Sequence, residues 1–149
     1  MDHATRALEL FHSGYNCAQA VAVAFSDLTG LSEKTAARMA SAFGGGIGRM
    51  REVCGAVSGM YMVLGLLYGY DAPKDDTGKK RLYQDVQALA EKFREVGGSI
   101  ICREILKNPP SDPNPTPRSE EFYKIRPCDR MVFAAARMMD EFISEHDYE

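Results

Sequence analysis

The chain has no excess of positive charge. Among its 149 residues, 18 lysines and arginines face 21 aspartates and glutamates, a formal net charge of −3. That removes the electrostatic footprint of a nucleic-acid binder or of a protein held on an anionic membrane surface. Zinc-finger and basic-helix signatures are missing as well, so no nucleic-acid partner is expected. No charged-then-apolar leader opens the sequence, because Met1-Asp2-His3-Ala4-Thr5-Arg6 leads into an amphipathic stretch. A cytoplasmic location is expected on that ground, and cytoplasmic thiols are normally kept reduced. No alternating apolar and polar pattern marks a strand, no internal repeat is visible, and no acid, base and nucleophile set suggests a hydrolase or transferase.

Common cysteine motifs are also absent. Without C-x-x-C there is no local thioredoxin-type dithiol or zinc knuckle, and without C-x-x-C-H there is no covalent c-type haem. Four cysteines are nevertheless present, Cys17, Cys54, Cys102 and Cys128, separated by 36, 47 and 25 residues. Any site that they share must be assembled by the tertiary fold. In a reducing compartment such cysteines read as redox groups or metal ligands before structural disulfides, and four of them allow three pairings.

About 45% hydrophobic and 26% charged residues is ordinary globular composition, and the length suits one domain, 1–149. The periodicity is helical nearly throughout. Ala4, Leu8 and Phe11 share a face that ends at Ser13-Gly14, and a second helix, apolar all round, runs from Asn16 or Cys17 to Leu28. Ser32 caps a third to about Phe43, with Glu33 in its first turn. Gly44-Gly45-Gly46-Ile47-Gly48 is a tight turn into an apolar helix from Cys54 to about Tyr68. It is not a phosphate loop, since no strand precedes it and neither G-x-G-x-x-G nor G-x-x-x-x-G-K is present.

Leu82, Val86, Leu89 and Phe93 give one face to a helix over Asp76–Val96, closed by Gly97-Gly98. Ser99 caps a short helix to about Lys107. Asn108 to Pro117 holds five of the seven prolines and reads as an extended surface loop. Pro127 then opens a last helix to about Ser144. The expectation is an all-α bundle of six or seven helices with a Pro-rich loop before the last.

Val53 to Tyr70 runs eighteen residues without a charge, near the lower limit for a membrane span. Its glycines and tyrosines make it weakly hydrophobic for that length, so a buried central helix is expected and no membrane partner. His3, His12 and His146 show no ligand spacing and read as surface residues. The eight methionines suit the core or a subunit interface, which leaves a homodimer open.

On these boundaries every cysteine falls in or beside the first turn of a helix. A helix start offers unpaired N–H donors and about half a positive charge, which favours a thiolate or a metal held by thiolates. Arg49 and Arg51, just before Cys54, add positive charge. Gly55 and Gly59, having no side chains, allow a neighbouring helix or a cofactor to approach the central helix.

The run Cys54-Gly55-Ala56-Val57-Ser58-Gly59 resembles the redox-active protein family named for the pattern C…G-C-A-x-x-G…C…C. So do Gly14-Tyr15-Asn16-Cys17-Ala18-Gln19-Ala20-Val21, Phe43-Gly44-Gly45-Gly46-Ile47-Gly48-Arg49 and Leu64-Gly65-Leu66, with Cys102 and Cys128 supplying the last pair. Here the order is Cys-Gly-Ala, not the Gly-Cys-Ala of the name. The same domain is similar to the iron–sulfur part of a split-Soret type cytochrome, without that protein's haem-attachment motifs. The resemblance implies an iron–sulfur cluster, of the [2Fe-2S] type, on Cys17, Cys54, Cys102 and Cys128, with Gly55 and Arg49 beside it, and an electron-transfer or oxidoreductase role with an unidentified redox partner. The residues themselves leave two alternatives: a metal-free protein cycling between dithiol and disulfide, and a non-enzymatic Zn(Cys)4 protein with a structural or storage role.

Overall fold

A computed structural model describes residues 2–146. The described residues form nine regular helices: α1 (His3–His12), α2 (Cys17–Ala24), α3 (Ser26–Thr29), α4 (Glu33–Ala40), α5 (Gly55–Tyr68), α6 (Asp76–Gly97), α7 (Cys102–Ile105), α8 (Glu120–Ile125) and α9 (Cys128–Glu145), while Gly44–Ile47 is a left-handed turn through Gly45 and Gly46. A 3-10 turn, Ser41–Phe43, extends α4. The described residues contain no strand, only an isolated antiparallel bridge between Val53 and Ile101. The fold is all-α, with more and shorter helices than expected.

The differences have local causes. The stretch read as one helix to Leu28 breaks at Phe25, whose φ −99°, ψ 12° leave the helical region. Ser119 accepts from the Phe122 N–H and opens α8 with Glu120 and Glu121 in its first turn, a helix the sequence reading left out. Ser99 does not cap α7 directly; its hydroxyl accepts from the Ile101 N–H and donates to Glu104, and the helix begins at Cys102.

Helix α2 is buried on nearly every side through Ala18, Ala20, Val21, Ala22, Val23 and Ala24. It lies against α5, whose Ala56, Val57, Met60, Val63 and Leu64 are also buried. Each of the valine, leucine and methionine side chains contributes about 1.5–3 kcal/mol over exposure. The close approach depends on Gly59: a Cβ there would stand 2.7 Å from the Ala18 carbonyl oxygen and 3.0 Å from the Val21 Cβ. Helix α9 runs along α1 and contacts α2, α5 and α6, burying Val132, Ala135, Ala136 and Met139. On α6, Leu89 and Phe93 enter the core while Leu82 and Val86 pack at its edge, as the spacing predicts.

At 14 residues, α5 is about 21 Å long, short of the ~30 Å hydrocarbon layer. Among the described residues no helix is long and apolar enough to cross a membrane. Of the three histidines His12 is exposed, as the surface reading has it, while His3 and His146 are partly buried. His3 stacks on Phe25 at 4.2 Å and contacts Asp140 at 2.6 Å and Asp27 at 2.9 Å, tying α1 to α3 and α9. His146 stacks on Phe142, and His12 on Tyr123.

Candidate functional site built on four thiols

Local helix starts place two of the cysteines, and one long-range bridge places the other two. Asn16 accepts from the Gln19 N–H at 2.9 Å and Gln19 returns the bond to the Asn16 N–H at 3.1 Å, a capping box that makes Cys17 the first residue of α2. The Asn16 amide also donates to the Ser41 carbonyl, and a Cβ on Gly44 would meet the Asn16 side chain at 2.4 Å. Cys128 is the first residue of α9 behind Pro127. Cys54 and Cys102 are brought together by the Val53–Ile101 bridge. The Cys54 N–H donates to the Ile100 carbonyl at 2.7 Å, and the Cys102 N–H to the Glu52 carbonyl at 2.6 Å.

The bridge is fed by a left-handed turn. Gly45, Gly46, Ile47, Gly48 and Arg49 have φ between 58° and 71°, and Arg51 has 62°. Left-handed backbone costs roughly 1–2 kcal/mol for a residue with a side chain, so Ile47, Arg49 and Arg51 store strain in this turn. Gly46 has a second reason to lack a side chain: a Cβ would stand 2.6 Å from the Cys102 Cβ.

The four cysteines line one cavity of about 30 Å³, together with Gly46, Gly55, Arg51 and the apolar Ile105, Leu106 and Met131. A Cβ on Gly55 would touch the Cys17 Cβ at 3.0 Å. All four are free thiols, Cys54 and Cys102 buried, Cys17 and Cys128 partly so. On its outer side the cavity abuts an open cleft of about 450 Å³ whose lining again includes Cys17, Cys128 and Arg51, but not Cys54 or Cys102.

The two inner thiols resist ionisation. Burial pushes the Cys54 thiol up to about 12, although the Ala56 and Val57 N–H groups at the start of α5 favour its thiolate. Burial also raises Cys102, against the opposing pull of Arg51. The outer two share a hydrogen bond. Cys17 keeps its proton and donates, which raises it and lowers Cys128; Arg126, Arg118 and Arg51 further favour the Cys128 thiolate.

Arg51 is the buried charge of the site, 4% exposed. Its Nε donates to the Pro110 carbonyl at 2.9 Å, Nη1 lies 3.7 Å from the Cys102 sulfur, and Nη2 has no hydrogen-bond partner among the described residues. Arg49 turns away from the thiol cavity. Its Nε donates to the Asp112 carbonyl and its Nη1 to the Thr116 hydroxyl, so it anchors the Pro-rich segment over the outer cleft. That segment is the surface loop expected from its prolines, and its Pro113, Pro115 and Thr116 also form a wall of the cleft.

The donor set fits a thiolate-held metal or cluster: four sulfurs, a buried guanidinium with a free donor, and glycines where side chains would intrude. The spacing is that of free thiols. Among the described residues no three His, Cys, Asp or Glu side chains are already arranged to hold a metal ion. The cavity has room for about one or two water-sized spheres. Binding a larger group therefore requires the cysteine side chains to swing apart.

Comparison with curated proteins and with solved structures found no match. A family model described as "Putative redox-active protein (C_GCAxxG_C_C)" matches residues 15–142, a span that contains all four cysteines and every turn that places them. The chain belongs to this C_GCAxxG_C_C family of redox-active proteins.

Proposed function

We propose that the protein is an electron-transfer module whose Cys17, Cys54, Cys102 and Cys128 hold an iron–sulfur cluster, with the [2Fe-2S] type suited to four thiolates. The observation that carries this reading is the unpartnered Arg51 Nη2 buried beside four thiols. A buried donor without an acceptor costs roughly 1–3 kcal/mol or more when charged, and a negatively charged cluster supplies that acceptor. Buried thiols that resist ionisation are poor nucleophiles, yet metal binding deprotonates a thiol outright. A bound cluster would supply reversible one-electron chemistry. The chain's own contribution is to exclude water with Ile105, Leu106 and Met131 and to set the charge around the sulfurs with Arg51, both of which tune such potentials.

The test is anaerobic purification followed by a visible spectrum with iron, sulfide and zinc analysis on one sample. Brown protein with iron and acid-labile sulfide is expected, and replacing any one cysteine by serine should bleach it. An unchanged spectrum in all four variants would sink the reading. Colourless protein with stoichiometric zinc would instead favour the structural or storage Zn(Cys)4 alternative.

A second reading rests on Cys17 and Cys128 lining both the inner cavity and the open cleft. These two thiols face the open cleft and form a dithiol that a small disulfide could oxidise, losing two protons and two electrons as the S–S bond forms. Mild oxidation of metal-free protein would then remove two titratable thiols, and mapping by mass spectrometry should find Cys17 joined to Cys128. No change in thiol count on oxidation would discard it.

A further inference from the structure

The outer cleft carries a charge that the rest of the molecule does not explain. In a protein of net charge −3, its lining includes Arg49, Arg51, Arg118 and Arg126, and no Asp or Glu among the described residues. Clusters of arginine in a concave site recognise carboxylate or phosphate oxygens, which match the planar guanidinium fork.

These arginines are fixed without being neutralised. Arg118 donates from Nη1 to the Phe11 carbonyl and from Nη2 to the Tyr15 carbonyl, both at 3.0 Å, and lies over the Phe11 ring at 4.5 Å. All those partners are uncharged. Arg126 sits over the Phe122 ring at 5.4 Å, and among the described residues no carboxylate lies within ion-pair distance of it. Arg49, bonded to the Asp112 carbonyl and the Thr116 hydroxyl, meets a carboxylate among the described residues only at 4.0 Å, that of Asp112. Arg51, nine-tenths and more buried, joins Cys17 and Cys128 in the lining of the cleft and adds a fourth positive charge. Like charges held together in this way repel, and an anion relieves them. The volume of about 450 Å³ is in the range for small-molecule sites, and the arginines line a recess, which suits a small ligand better than a flat protein surface.

We infer that this cleft is a binding site for a small oxyanion, a molecule bearing carboxylate or phosphate groups, held by Arg49, Arg118 and Arg126 over the Cys17 and Cys128 thiols. The ligand is then the substrate or effector of the thiol site. The inference rests on the cleft alone and holds whether the thiols carry a cluster, zinc or nothing.

The experiment titrates inorganic phosphate, and separately malonate, into the purified protein at constant ionic strength set with sodium chloride, by calorimetry and by thermal shift. Saturable binding of either anion with a rise in melting temperature is expected, and the two arms distinguish the phosphate and carboxylate classes. Arg126→Gln should weaken it at least tenfold while retaining the wild-type circular dichroism. Lys124→Gln, which removes an equal charge from the exposed surface outside the cleft, should leave it unchanged. No binding beyond that of chloride would overturn the inference, as would equal losses in the two variants. Finding no iron, sulfide or zinc in the same sample would end the cluster and zinc readings without touching this one.

Discussion

The guanidinium of Arg51 lies against the sulfur of Cys102, Nη1 to Sγ 3.7 Å, at a point where neither reaches water freely. Charge and thiol are both buried, and the thiol, raised by that burial, does not neutralise the charge. Arg51→Met should therefore act in opposite directions on two forms of the protein. Metal-free protein should be unchanged or stabilised by about 1–3 kcal/mol, as when an unmatched buried ion gives way to an apolar side chain. Protein loaded with an anionic cluster should lose it faster. Thermal unfolding of the metal-free pair, with bleaching rates of the loaded pair, checks both signs; destabilisation of the metal-free variant by several kcal/mol would show that Arg51 serves packing.

The four thiols should not react alike. In reduced, metal-free protein, Cys128 is lowered by the Cys17 hydrogen bond and the nearby arginines and opens on the cleft, whereas Cys54 is buried and pushed up to about 12. A pulse of iodoacetamide near pH 8 should label Cys128 first and Cys54 last, read by peptide mass spectrometry. Equal labelling of the four would mean that the cavity opens faster than the reagent reacts.

The raised inner thiol also sets an alkaline limit. Below about pH 9 Cys54 is protonated in both folded and unfolded chains and contributes no pH dependence. Between about 9 and 12 the unfolded chain loses the proton while the folded chain keeps it, so stability falls as pH rises. The slope from this group is up to about 1.4 kcal/mol per pH unit. Cys54→Ser, which does not titrate there, should flatten the decline in melting temperature between pH 9 and 10.5; parallel curves for the two proteins would place the ionisation elsewhere.

Glycine positions give a test of packing. Gly59→Ala drives a methyl group against the Ala18 carbonyl and should cost about 1–3 kcal/mol. Gly65→Ala, in the same helix with nothing within 4 Å of the added carbon, should stabilise by up to about 1 kcal/mol. Chemical denaturation of both variants distinguishes them, and an equal loss in each would mean that the Ala18 contact does not set the cost at Gly59. Gly78 would not serve as a neutral control: it lies inside α6, and its N–H donates to Asp75 at 2.9 Å, capping that helix.

The helix starts were legible because their signals are local. Asn16 with Gln19, Ser32, Pro127 and the glycine turn each act within a few residues, and they put Cys17, Cys54 and Cys128 at the head of a helix. Cys102 also begins a helix, though not through the Ser99 cap. What was not legible depends on distant partners. Arg49 and Arg51 are two residues apart in the same left-handed turn, and only the fold sends one guanidinium to the Pro-rich segment and the other to the thiols. The partners of His3, Asp27 and Asp140, lie 24 and 137 residues away in sequence. The cleft wall built from the Pro-rich segment depends in the same way on Arg49 reaching Asp112 and Thr116.

The division of the thiols between two spaces gives the site a direction. Cys54 and Cys102 belong to the closed cavity alone, while Cys17 and Cys128 border both that cavity and the cleft. A guest held by all four would have a sheltered end and a facing end, anchored from behind and addressed from in front. Exchange of electrons, protons or the guest itself would then be one-sided, entering past the arginines and leaving the same way, and changes at the cleft mouth would set the rate of that traffic without altering what is held inside.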